Sequence, residues 1–97
     1  MEKMKKVEIV IDSVHLNRIL ELLQSLGVSG YTVIRDALGM GERGIMAGDE
    51  LTDVFKNSYI FTVCTEETAN KIVEQIRPML KRFGGVCLVS DVLWVKH

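Results

Sequence analysis

Between Lys6 and Ile11 apolar and polar residues alternate, with Val7, Ile9 and Ile11 on one side and Lys6 and Glu8 on the other. A period of two is a strand pattern. Asp12 or Ser13 can cap the next element, a helix, in which Leu16, Ile19, Leu20, Leu23 and Leu26 recur at helical spacing. Gly27 stands where a glycine commonly ends a helix. Gly30-Tyr31-Thr32-Val33-Ile34, rich in β-branched and aromatic residues, reads as a second strand, and Tyr59–Cys64 as a third. Thr65 is the next cap, and Glu66 and Glu67 suit the positive end of a second helix. That helix carries one apolar stripe: Ala69, Ile72, Val73, Ile76, Met79, Leu80 and Phe83. Pro78 removes an amide donor inside it and predicts a kink or a looser final turn. Gly84-Gly85 stops it, and Val86–Val95 forms a fourth strand. The order β-α-β-β-α-β predicts an α+β, ferredoxin-like fold: a four-stranded antiparallel sheet with both helices on one face.

The uncovered face of such a sheet is expected to be polar if it meets water. Here it is not. Val86, Leu88, Val92 and Trp94 lie on one side of the fourth strand, and Cys87, Val89, Leu93 and Val95 on the other. Tyr59, Phe61 and Val63 similarly oppose Ile60 and Cys64. An apolar second face predicts an interface, so the open face is expected to be buried in an oligomer of this chain.

Composition narrows the rest. The 97 residues suit one domain, 1–97, with one core. A formal charge of −1 gives no global field towards nucleic acid or anionic lipid, so no nucleic-acid partner is expected. No apolar run approaches the roughly 18 residues of a membrane span, and the N-terminal residues lack the pattern of a signal peptide. Cys64 and Cys87 sit in predicted strands and read as buried free thiols, which points to a cytoplasmic setting. His15 and His97 stand far apart, so no zinc-type spacing exists and no structural metal is expected.

The candidate chemistry lies between the second and third strands. From Gly39 to about Asn57 the chain has no convincing hydrophobic period. Loops longer than about 12–15 residues are uncommon in compact domains and are usually functional or disordered. This one opens Gly39-Met40-Gly41-Glu42-Arg43-Gly44 and continues through Asp49, Glu50 and Asp53. The three carboxylates read as a solvated acidic stretch. Glycines let backbone amides approach a phosphate, and arginine offers a planar fork of donors to phosphate or carboxylate. Gly39, Gly41, Arg43 and Gly44 supply both, and so does Gly84-Gly85, preceded by Lys81 and Arg82. No GxSxG element or cysteine–base pair supports catalysis. Tyr59 and Phe61 alone do not make an RNA-recognition motif.

Taken together these segments resemble the P-II signalling superfamily. Met4-Lys5-Lys6-Val7-Glu8 is similar to its opening strand, and Gly30-Tyr31-Thr32-Val33 to its second. Gly39-Met40-Gly41 resembles the start of its long T-loop, and Gly85-Val86-Cys87-Leu88-Val89-Ser90 its glycine turn and final strand. Gly41-Glu42-Arg43 and the final Asp91-Val92-Leu93-Trp94 bring it nearer the P-II-like regulators associated with bicarbonate transport and carbon fixation. The resemblance implies a non-enzymatic homotrimer. It would bind an adenine nucleotide as effector, with no tightly bound cofactor, in clefts between subunits. A mobile T-loop, about 37–56, would then engage a membrane transporter or an enzyme. Amides of Gly39, Gly41, Gly84 and Gly85, with Arg43 and Gly44, would hold the phosphate. The main chain near Val7 and Ile9 and the Thr32 hydroxyl would flank the base.

Departures from the nitrogen-sensing pattern shape the expected ligand. Val86 stands where lysine is common, and a basic C-terminal segment is expected to be lacking. The loop has no tyrosine to modify and no magnesium-chelating glutamine. These point to AMP, ADP or a cyclic nucleotide, with bicarbonate as a candidate companion, rather than ATP with 2-oxoglutarate. An ACT-like module binding an amino acid shares the element order and is the alternative. Its ligand turn follows strand one, where this chain has Asp12-Ser13 and no glycine. A cation-tolerance protein of related trimeric fold is disfavoured by the poor set of metal ligands.

Overall fold

The computed structural model describes residues 1–37 and 56–97. The first strand, β1 (Glu2–Asp12), leads through a single 3-10 turn at Ser13–His15 into helix α1 (Leu16–Ser25). Strand β2 (Thr32–Ala37) and strand β3 (Asn57–Cys64) come next, then helix α2 (Glu66–Phe83) and strand β4 (Val86–Trp94). The sheet runs β2-β3-β1-β4 and is antiparallel throughout. This is the ferredoxin-like α+β arrangement that the hydrophobic periods predict.

Local chemistry sets the boundaries. The Asp12 carboxylate accepts from the Val14 amide at 3.0 Å and turns the chain into α1. At the other end Gly27 adopts φ 78°, its amide donating to Gln24 while Val28 donates to Leu23 at 3.1 Å. Those paired bonds are a Schellman ending, which needs the left-handed residue that glycine supplies. The Thr65 hydroxyl accepts from the Thr68 amide at 3.2 Å and caps α2, with Glu66 and Glu67 in the first turn and Lys81 and Arg82 in the last. Both sets of charges suit the helix dipole. Helix α2 continues past Pro78 to Phe83.

The core lies between the sheet and both helices. Val7, Ile9, Ile11, Ile60 and Cys64 meet Leu16, Ile19, Leu23, Ala69, Ile72 and Ile76. Ser58 and Thr62 are buried with them but partnered: Ser58 with the Ser13 hydroxyl at 2.8 Å, Thr62 with the Gly30 carbonyl at 2.5 Å. The Thr62 bond pins the α1–β2 connection to the middle of the sheet.

The register assigns the paired strand residues to a face. Thr32 and Ile34 of β2, Tyr59, Phe61 and Val63 of β3, Met4, Lys6, Glu8 and Val10 of β1, and Val86, Leu88, Ser90, Val92 and Trp94 of β4 point away from the helices. Leu88 is 56% exposed and Trp94 47%. The apolar second face is therefore present, but with a polar centre that alternation alone leaves unresolved. The Tyr59 hydroxyl donates to Glu8 at 2.6 Å, Lys6 lies 3.9 Å from Glu8, and the same ammonium sits 4.8 Å from the centre of the Phe61 ring. Cys64 is buried, as expected, whereas Cys87, on the edge strand β4, packs against the core but is only half-buried. Burial pushes both thiols up from their ordinary range.

Candidate functional site

Of the residues that the sequence nominates, Gly39, Gly41, Arg43 and Gly44 lie outside the described residues, as do Asp49, Glu50, Asp53 and nearly all of the 37–56 segment. The structure fixes the feet of that segment. On the β2 side the ladder slips between Ile34 and Ala37, and Asp36 takes φ 61°. A left-handed residue is rare outside glycine, but aspartate tolerates it because its short side chain can bond locally. Such bulges bend a strand and redirect the residues beyond them. On the β3 side the Ser13 amide donates to the Lys56 carbonyl at 2.9 Å.

Gly84 and Gly85 form the α2–β4 turn at the same end of the sheet. Their φ values are 81° and 109°, and the Gly84 amide donates to Leu80 at 2.8 Å. A Cβ on Gly85 would stand 2.6 Å from the Val10 carbonyl oxygen. Around this turn the cations gather. Phe83 stacks on His15 with centroids 3.9 Å apart, and the guanidinium carbons of Arg18 and Arg82 lie 5.4 Å and 5.1 Å from the Phe83 centroid. Sequence spacing brings Arg82 to the turn. Only the docking of α1 beside the end of α2 adds His15 and Arg18, and nothing in the periodicity signals that.

Thr32, at the start of β2, is exposed and faces the open side opposite Phe61. Val7 and Ile9 lie in the middle of β1. Their side chains are fully inside the core beneath the helices. Their backbones sit in a strand paired on both sides, with β3 and with β4. A central strand spends its backbone donors and acceptors on its neighbours. Because successive side chains alternate, the β1 residues beside them that reach the open face are Lys6, Glu8 and Val10.

The edge strand β2 and the Gly84-Gly85 turn before β4 are not brought together within one chain. Strands β2 and β4 are opposite edges of the sheet, about three strand spacings or roughly 14 Å apart. A groove of about 430 Å³ lies elsewhere: Lys3, Met4, Asp91, Val92 and Leu93 line it at the far end of β1 and β4. The Lys5–Asp91 ion pair beside it is open to solvent. The hydrogen bond between its members holds the Asp91 carboxyl below its usual range and the Lys5 ammonium above. Exposed pairs of this kind add little stability. Among the described residues no cluster of histidine, cysteine and carboxylate is arranged to hold a metal ion, and no helix is long and apolar enough to cross a membrane.

Residues 4–97 match the family described as nitrogen regulatory protein P-II. The chain belongs to the P-II family. Among solved structures, this P-II protein is similar to CPII, a nitrogen regulatory PII-like protein from Thiomonas intermedia K12. With CPII bound to ADP, AMP and bicarbonate it shares 25% identity at a TM-score of 0.83, over 98% of this chain and 96% of that one. With CPII bound to ADP and bicarbonate it shares 30% identity at a TM-score of 0.79, over 93% and 86%. A PII-like signaling protein of Thermus thermophilus, so described provisionally, shares 29% identity at a TM-score of 0.75, over 94% and 88%. No curated protein matches the chain.

The polar centre of the open face gives this P-II protein a measurable alkaline signature. The hydrogen bond to Glu8, then burial, then the Glu8 charge raise the Tyr59 phenol above its ordinary value of about 10. The folded state therefore favours the protonated phenol. That contribution is complete below the unfolded value and is lost as pH rises through the raised one. In a near-ultraviolet titration, Tyr59→Phe is expected to remove the later-ionising tyrosine. It should also flatten the loss of stability above pH of about 10. A Tyr59 that ionises with the unfolded chain's phenols contradicts the bond.

Proposed function

We propose that this P-II protein is a homotrimeric, cytoplasmic regulator that senses an adenine nucleotide by binding rather than by turnover. AMP, ADP or a cyclic nucleotide, with bicarbonate as companion, is favoured over ATP with 2-oxoglutarate. The observation that carries the reading is the similarity to CPII, crystallised with ADP, AMP and bicarbonate, over nearly the whole of both chains. Two features of this chain support it. The open face is largely apolar, which suits association with further copies. The β2 edge and the Gly84-Gly85 turn stand on opposite sides of the sheet, so a cleft between subunits, not one within a subunit, would join them.

In such a cleft the turn of one chain would meet the Thr32 edge and the Gly39, Gly41, Arg43 and Gly44 segment of its neighbour. Occupancy would change the population of conformers of segment 37–56, and a transporter or enzyme would read the change. Bicarbonate uptake is the process this reading favours. The P-II match leaves the ACT-like amino-acid module without support.

Isothermal titration with AMP, ADP, cyclic AMP and ATP with 2-oxoglutarate tests the reading. The first three are expected to bind more tightly than the last. Arg43→Ala is expected to weaken the phosphorylated ligands by about tenfold, the scale of one hydrogen bond to a charged group, without altering the fold. Affinity unchanged in that variant removes Arg43 from the site, and no binding of any adenylate overturns the reading.

A further inference from the structure

The basic cluster on Phe83 has a property that its neighbours in the fold do not explain. Among the described residues no carboxylate forms an ion pair with Arg18 or Arg82. Both side chains are exposed, yet both guanidiniums rest on one ring whose other close partner is the His15 imidazole. Stacking on an aromatic face restrains a guanidinium, so less freedom is lost when it later forms hydrogen bonds. The first turn of α1 itself carries no acidic residue to offset the positive end of that helix, and the Asp12 carboxylate ahead of it is taken up by the Val14 amide. The result is a concentration of positive charge with restrained forks of donors, beside a turn whose two glycines add no side-chain bulk.

We propose that Arg18 and Arg82, held on Phe83 beside His15, form the anion-binding patch that takes the phosphate end of the bound nucleotide. This rests on the nucleotide reading above and assigns the charge contacts at the glycine turn, where Val86 offers none. Arginine forks match phosphate oxygens bidentately. Two of them, arriving from different helices, would hold a diphosphate better than a monophosphate. Phe83 serves as a positioning residue, since it touches the guanidiniums and not the ligand.

The test is calorimetry on the full chain with ADP, adenosine and inorganic pyrophosphate, using Arg18→Gln, Arg82→Gln and Phe83→Leu, each checked by circular dichroism and by native mass. The wild type is expected to bind ADP more tightly than adenosine. Each arginine variant is expected to lose about tenfold for ADP and pyrophosphate, the scale of one charged hydrogen-bond partner, and nothing for adenosine. Phe83→Leu keeps both charges but not their platform and is expected to lose a smaller part of the same affinity, which simple charge attraction would not produce. Pyrophosphate that binds through these arginines while no adenylate binds supports the patch and overturns the nucleotide reading. ADP binding left unchanged by both arginine substitutions overturns the patch and leaves the nucleotide reading standing.

Discussion

Leu88→Lys is expected to convert the proposed trimer into single chains while leaving each chain folded. Leu88 stands in β4 directly opposite Glu8 on the open face. Within one chain the new ammonium gains an opposite charge across the strand pair, a favourable cross-strand arrangement. Between chains the same substitution replaces a side chain worth about 1.5–3 kcal/mol on burial with a charge whose removal from water costs several kcal/mol. A combined loss of about 4 kcal/mol or more corresponds to roughly a thousandfold weaker association. Size-exclusion chromatography with light scattering at micromolar concentration is expected to show three chains per particle for the wild type and one for the variant. A wild type that runs as a single chain, or a variant still fully assembled, contradicts the use of this face.

The second large effect concerns backbone geometry. Gly85→Ala combines two costs. A φ of 109° lies where a side chain is strained, and the added Cβ would stand 2.6 Å from the Val10 carbonyl oxygen, a backbone atom that cannot swing aside. Strain and overpacking each cost about 1–3 kcal/mol. The expected loss of about 2–6 kcal/mol is a large share of a typical domain stability of about 5–15 kcal/mol. Gly27→Ala is the control. Gly27 has a similarly positive φ of 78°, but nothing lies within 4 Å of its Cβ, so the strain alone remains, about 1–2 kcal/mol. Urea denaturation of both variants separates the two contributions. Equal losses at Gly85 and Gly27 would show that the contact with Val10 relaxes freely.

Much of this molecule can be read from local pattern because local pattern is what fixes it. The alternation of Val7, Ile9 and Ile11 and the stripe through Ile72 and Ile76 specify which sides face the core, and the structure places them there. The caps at Asp12 and Thr65 and the stop at Gly27 are short-range events, visible in a few consecutive residues. What escapes is what depends on pairing over distance. The longer span of β1 back to Glu2 needs its partner β4. The bulge at Asp36 arises from a register slip against β3. The union of His15, Arg18, Arg82 and Phe83 joins residues from two helices, and no spacing rule reaches across that gap.

The bond from the Ser13 amide to the Lys56 carbonyl has a consequence for how such a protein can diversify. Lys56 is fastened to the turn that follows β1, and Ala37 is paired opposite Asn57. The span from 38 to 55 thus leaves and rejoins the scaffold through two moorings one strand spacing apart, about 5 Å. Closing a longer connection between fixed points costs little, about 0.6 kcal/mol for each doubling of its length. The span can therefore be exchanged like a cartridge, its length and contacts rewritten for a new partner, while the framework below continues to fold as before.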